Sequence, residues 1–339
     1  MKEELKKDPN ADQRKSDHID LAFASQTSNL DERFSYEPLF GSSHVELPLF
    51  HFLGKTLQTP IWCGSMTGGT EKARKINENL ARACHDFQMG MGLGSCRQLL
   101  ENDDRLADFD LRKIIGDSQP FYANLGIAQI EQILCLKKLD QVDRLVDKLQ
   151  VDGLIVHINP LQEWMQPEGD RLNQTPLETL QKFLEKSDIP LIVKEVGQGF
   201  GKESLRALMK LPIQAIEFAA HGGTNFSKLE LLRSNSIQLE LFQNIAFIGH
   251  SAVEMVSYVN EIIQEEKSNP VCNQFIISGG IKNFLDGYYG MQKIHANAIY
   301  GQASSLLKYA QESYDTLHDY ILNQKKGLQL AYTYFKIKE

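Results

Sequence analysis

Four groups able to bind, polarise or chelate stand within seven residues of VHINPLQEW (156–164): His157, Asn159, Gln162 and Glu163. Glu163 beside Gln162 suggests a hard-cation site, because one carboxylate with waters and phosphate oxygens suits Mg²⁺. The competing reading makes the four into loop polars that cap the next helix. A second unusual group is Lys194, inside the apolar PLIVKEV (190–196). An unpaired lysine in a strand-lined pocket is costly, so Glu195, Glu217 or an anionic ligand must compensate. A Schiff-base role is also open to it. HGGT (221–224), SGGIKN (278–283) and YGQAS (300–304) add glycines that let backbone N–H groups approach a phosphate. Cations for an anionic ligand are Arg97, just after Ser95, and Arg14, Lys15 and His18 in a charged tail. That tail is either a solvated surface or a flap supplying cations to a diphosphate.

These groups need a scaffold, and the apolar runs provide it. PIWCGS (60–65), MGMGLGS (89–95), PFYANLG (120–126), DGLIVHIN (152–159), PLIVKEV (190–196), AIEFAA (215–220), QFIISGG (274–280) and ANAIYGQ (296–302) read as eight buried strands. Helical patterns lie between them at 70–87, 127–150 and 175–187, the first opening on an N-cap threonine and the last with Pro after Thr. The alternation predicts an α/β fold, a (β/α)₈ TIM barrel over 60–339. Residues 1–59 are expected to form an N-terminal extension with a strand pair around 43–58, and 227–273 a long insertion between strands six and seven, with a helix near 251–266. A doubly wound sheet is the structural rival. In a barrel the active site lies at the C-terminal strand ends, where nearly every run closes on a hydrogen-bonding group.

Composition narrows the class further. The chain has 339 residues, 42% hydrophobic and 24% charged, with a net charge of −8. That balance argues against broad nucleic-acid binding. No apolar run approaches the roughly 18 residues of a membrane span, and the charged N-terminus lacks the apolar core of a signal peptide. Cys63, Cys84, Cys96, Cys135 and Cys272 are scattered, as reduced thiols of a cytoplasmic protein would be.

Taken in order, RKSDHI (14–19), SMTGGT (65–70), GLGSCR (92–97), ANLG (123–126), HINPLQE (157–163), VKEVGQG (193–199), HGGTNF (221–226) and SGGIKN (278–283) resemble the type 2 isopentenyl-diphosphate isomerases, a flavin-dependent barrel family. The resemblance implies FMN in the barrel mouth, Mg²⁺, NADPH or another reductant, a homotetramer or homo-octamer, and interconversion of isopentenyl and dimethylallyl diphosphate. By matching position it implies that Ser65, Met66, Thr67, Gly68, Ser95, Asn124, Lys194, Thr224, Gly279, Gly280, Ile281, Gln302 and Ala303 hold FMN. Arg14, Lys15, His18, Ser95, Arg97 and Gln162 would face the substrate, Glu163 would hold Mg²⁺, and Gln162 and His157 would serve catalysis. The chain departs from the family's commoner pattern at Asp17, Cys96, Ala219, Asn225 and Phe226, and in the length of 286–301. The other functions in play are a 2-hydroxy-acid oxidase type of FMN barrel and a non-catalytic FMN- or prenyl-phosphate-binding barrel. The first would need a late-strand histidine base paired with an arginine.

Overall fold

The computed structural model describes residues 10–42, 45–65, 67–266 and 270–338. Eight parallel strands close into a barrel: β1 (Ile61–Cys63), β2 (Gly90–Gly92), β3 (Phe121–Gly126), β4 (Gly153–His157), β5 (Leu191–Lys194), β6 (Ala215–Glu217), β7 (Gln274–Ser278) and β8 (Asn297–Gln302). Closure is made by β8 on β1, with Tyr300 opposite Ile61 and Gln302 opposite Cys63. All eight expected strands are present, and each is shorter than its apolar run. In PIWCGS the ladder keeps Ile61–Cys63: Pro60 has no N–H to give and offers its carbonyl to the Tyr300 N–H at 3.1 Å, and the Gly64 N–H donates to the Gln302 carbonyl at 3.0 Å.

The helices follow their local signals. Glu71–Phe87 begins where the Thr70 side chain accepts from the Ala73 N–H, and it buries Ile76, Leu80, Ala83 and Phe87. The 127–150 stretch forms two helices, Ile127–Cys135 and Asp140–Leu149, parted where Lys137 takes a φ of 57°. Thr175 and Glu178 form a capping box ahead of Pro176. The insertion is folded: it carries helices Phe226–Arg233 and Ser236–Phe242, a short turn Gln243–Phe247 and helix Ala252–Glu266.

Inside the barrel the period of two decides the chemistry. Trp62, Tyr122, Ile155, Ile192, Ala215, Ile276 and Ile299 fill the lower layer together with Phe52, Leu53 and Leu57 of a hairpin. That hairpin pairs Phe50–Phe52 with Lys55–Leu57 and closes the N-terminal end, where Gln274 and Asn297 at the starts of β7 and β8 bond to it. Two residues further along each strand the inward positions are Gly64, Gly92, Asn124, His157, Lys194, Glu217, Ser278 and Gly301. An apolar plug thus supports a ring of three glycines and five polar side chains at the C-terminal mouth. Outside the barrel, Phe34–Tyr36 pairs with Phe335–Ile337. The helix Ala11–Leu21 buries no residue. Among the described residues no helix is long and apolar enough to cross a membrane.

Candidate active site at the barrel mouth

The ring is wired by short contacts. Asn124 Nδ2 donates to the Leu93 carbonyl at 3.1 Å, which turns its Oδ1 to accept from His157 Nδ1 at 2.7 Å. The imidazole is therefore the Nδ1–H tautomer, with Nε2 left as an acceptor. Burial, and then the Lys194 charge, push the His157 pKa down to about 3, so the ring is neutral at ordinary pH. Lys194 Nζ donates to the Glu195 carbonyl at 2.7 Å and keeps further N–H groups for another partner. Of the three compensations expected for it, the two carboxylates, Glu195 and Glu217, form no ion pair with it within 4 Å among the described residues. Glu217 is buried; its Oε1 accepts from Ser278 Oγ at 3.2 Å, and Ser278 Oγ accepts from the Ala219 N–H at 2.9 Å. Glu217 Oε2 has no partner. Burial pushes this carboxyl up, with Lys194 opposing. An acid inside AIEFAA was the one available sequence signal for Glu217, the counterpart of Lys194 in PLIVKEV.

One half of the mouth is an open cleft at the C-terminal ends of the late strands. Gly64, Ser65, Lys194, Glu217, Thr224, Gly279, Gly280, Ile281, Lys282, Gln302 and Ala303 line it, and Ser304 and Ser305 open the helix Ser304–Glu312 onto it. Ser65 Oγ is buried and unpartnered, like Glu217 Oε2. Gly279 has a φ of 89°, and a Cβ there would lie 2.1 Å from the Ala220 carbonyl oxygen. A Cβ on Gly222 would come within 3.1 Å of Gly280 Cα. Only bare backbone fits between these two loops. Gln302 reaches the wall, but its Oε1 accepts from Gln324 Nε2 at 3.0 Å and Tyr320 Oη at 3.3 Å, so its amide is tied to the C-terminal helix. Thr67 is likewise turned away, bonding Asn77, and a Cβ on Gly68 would strike the Phe109 ring. Met66 lies outside the described residues.

The other half is a network of side chains. Asn159 Nδ2 donates to Glu163 Oε1 at 2.8 Å and to Gln162 Oε1 at 3.2 Å, while Asn159 Oδ1 stays buried and unpartnered. The Asp170 N–H donates to Glu163 Oε2 at 2.8 Å. Glu230 accepts from Gln162 Nε2 at 3.3 Å and Gln166 Nε2 at 2.9 Å. Arg97 pairs with Asp170 at 3.0 Å, and Ser95, exposed nearby, accepts from the Arg97 N–H at 3.5 Å. Behind the ring, the Glu195 carboxylate takes three backbone N–H groups, from Gly197, Gln198 and Gly199 at 2.7, 2.6 and 2.9 Å, and so fixes the KEVGQG loop. Glu230 and Asp170 carry no local signal, because each meets its partners only through tertiary contact. Among the described residues no three His, Cys, Asp or Glu cluster as metal ligands. Arg14, Lys15 and His18 sit on the exposed helix Ala11–Leu21 and do not line the cleft.

No protein-family model matches the chain. An isopentenyl-diphosphate delta-isomerase of Rickettsia peacockii (strain Rustic) is 35% identical over 328 residues, 93% of this chain and 91% of that protein. The enzyme of the same name from Rickettsia felis is 34% identical over 327 residues, 93% of this chain and 90% of its own length. Among solved structures, the flavin-binding domain of baker's yeast flavocytochrome b2 superposes with a TM-score of 0.60 at 12% identity, covering 91% of this chain and 77% of that one. A mandelate oxidase mutant with an FMN adduct gives a TM-score of 0.55 at 12% identity, covering 96% and 99%. Identities this low show the barrel fold alone.

Proposed function

The chain belongs to the isopentenyl-diphosphate delta-isomerase family and is an isomerase, and we propose that it interconverts isopentenyl and dimethylallyl diphosphate with FMN and Mg²⁺ at the mouth. The observation that carries this reading is the pairing of a glycine-walled cleft with a one-carboxylate amide network on the same barrel rim.

FMN fits the first half. The bare Gly279 and Gly280 backbone beside the start of Ser304–Glu312 suits its phosphate. The unpartnered Ser65 Oγ and Glu217 Oε2, with the spare N–H groups of Lys194, suit a ring rich in donors and acceptors. Thr224, Ile281 and Ala303 complete the wall. Reduced FMN, when bound, would supply an acid and base strong enough for alkene chemistry, without net redox change. NADPH or another reductant would keep it reduced.

Mg²⁺ fits the second half, since Glu163 gives one hard oxygen ligand and the diphosphate and waters give the rest. Asn159 and the Asp170 N–H hold that carboxylate's plane, as outer-shell partners of metal ligands do. The double-bond shift adds a proton at one alkene carbon and removes one from another, through a tertiary cation-like state. Gln162, held by Asn159 and Glu230, orients the alkene end. Neutral His157 offers Nε2 as an acceptor rather than a second positive charge beside Lys194. The extension 1–59 acts as a flap that brings Arg14, Lys15 and His18 to the diphosphate, with Arg97 beside it. The remainder forms the FMN-binding barrel of a cytoplasmic homotetramer or homo-octamer.

The test is direct. Purified protein is expected to show a flavin absorption spectrum and to isomerise isopentenyl diphosphate only with Mg²⁺ and a reductant. Oxygen-dependent turnover of a 2-hydroxy acid, with no isoprenoid turnover, would overturn the reading.

A further inference from the structure

Asp170 touches both the basic and the acidic side of the mouth. Its carboxylate accepts from Arg97 Nη1 at 3.0 Å, Gln129 Nε2 at 3.0 Å and Gln132 Nε2 at 3.1 Å. Its own backbone N–H donates to Glu163 Oε2 at 2.8 Å. The next residue strengthens the clamp: Arg171 Nη1 donates to the Glu163 carbonyl at 2.9 Å, and its guanidinium lies 4.3 Å over the Trp164 ring. The turn that brings this loop back onto the helix Pro160–Met165 is built around Gly169, where a Cβ would fall 1.8 Å from the Glu163 carbonyl oxygen. No side chain fits there, so the close approach of Asp170 to Glu163 depends on glycine.

We propose that Asp170 is a positioning residue that joins the two charges of the diphosphate end, presenting Arg97 through its carboxylate and fixing Glu163 through its backbone N–H. The inference rests on the reading of this half of the mouth as a Mg²⁺-diphosphate site. Arg97 is half-exposed, with 51% of its side chain open, while Asp170 is held to 19% by its amide partners. A flexible arginine anchored at one nitrogen keeps its remaining donors for an anion, and the ligand is spared the entropy of ordering it. Each oxygen of Glu163 accepts one hydrogen bond and has a lone pair left for a cation. Charge and geometry make opposite demands here. Removing the Asp170 charge would by itself favour an anion, but that effect is screened at a rim where Arg97 is open to solvent. Loss of orientation acts on both Arg97 and Glu163, and it wins.

The experiment is equilibrium binding of inorganic pyrophosphate to the flavin-loaded full chain, by calorimetry, with and without Mg²⁺. Asp170→Asn is expected to weaken Mg²⁺-dependent pyrophosphate binding about tenfold, as outer-shell changes at metal sites do, with flavin content and thermal midpoint unchanged. On an Arg97→Gln background without Mg²⁺, Asp170→Asn is expected to add no loss, which a general structural role would not reproduce. Gly169→Ala displaces the loop while keeping every charge, and it is expected to weaken Mg²⁺-dependent binding in the same direction. Tighter binding by Asp170→Asn would overturn the proposal, since Asp170 would then be a competitor for Arg97. Unchanged binding in both loop variants, with a wild type that binds, would also overturn it and leave the diphosphate reading standing. A wild type that binds no pyrophosphate with Mg²⁺ would overturn both.

Discussion

The two halves of the mouth are made of different material. The cleft between β5 and β8 is walled by backbone: Gly279, Gly280, Gly222 and Gly223 face one another, and the polar atoms on offer, Ser65 Oγ and Glu217 Oε2, are unpartnered. The half around β4 is made of side chains that bond one another, with Glu163, Gln162, Asn159, Glu230, Asp170 and Arg97 in one network and Asn159 Oδ1 left without a partner. A backbone wall tolerates changes of polarity but no added Cβ. A side-chain network tolerates small changes of volume but not the loss of one charge. The first half is preformed for a rigid ligand, and the second must exchange internal bonds for a ligand's oxygens.

The strongest way to break this contrast is Gly279→Ala. The new Cβ would meet the Ala220 backbone at 2.1 Å on a residue with a φ of 89°. Backbone strain of ~3 kcal/mol or more corresponds to roughly a hundredfold weaker flavin binding, or failure to fold. Gly223→Ala, whose Cβ would lie 3.3 Å from Gly279 Cα without positive φ, should cost much less. Equal flavin affinities for wild type and Gly279→Ala would remove the backbone wall from the account. Next in size is Glu163→Gln, expected to cut Mg²⁺-dependent turnover about a hundredfold while flavin content stays constant. If Mg²⁺ dependence survives, Glu163 is not the metal ligand.

Glu217→Gln should have a smaller and pH-dependent effect. Burial raises this carboxyl in the folded chain above its ordinary 4.5. The folded state therefore holds its proton longer, and the cost of ionising it accrues as pH rises past that value. The variant should gain thermal stability over wild type at pH 8 and gain little at pH 4. A gain of the same size at both would show that burial of charge is not the cause. The smallest effect concerns His157. With a folded pKa near 3, against 6.5 in the unfolded chain, it should show no ionisation between pH 5 and 8. It should cost stability only as pH falls from 6.5 toward 3, where the unfolded chain alone takes up the proton. Nitrogen NMR shifts that titrate near pH 6.5 would contradict the buried Nδ1–H tautomer.

Eight apolar runs marked eight strands, and the exits of those runs marked most of the mouth. Lys194, His157, Gln162 and Glu163 stood out because a polar group inside or just beyond a buried strand is expensive unless it is used. Glu217 is just as unusual within AIEFAA, yet one residue of register would have turned it outward, and a short run leaves its parity open. Gln302 and Thr67 show the reverse: their positions at strand ends were readable, but Gln324 of the C-terminal helix Tyr314–Tyr334 and Asn77 of Glu71–Phe87 claim their side chains. The basic residues Arg14, Lys15 and His18 lie on the helix Ala11–Leu21, which buries no residue.

By itself, then, the sequence determined the barrel, the caps of its helices and the residue types at the strand exits, because these depend on hydrophobic period and on contacts a few residues apart. Only the tertiary structure decided which polar groups meet. Closure of β8 on β1 gathers the eight inward positions into one ring, and the returning loop at Gly169 carries Asp170 to Arg97 from 73 residues away. Such pairings rest on the geometry of the closed barrel, and no local pattern in the chain encodes them.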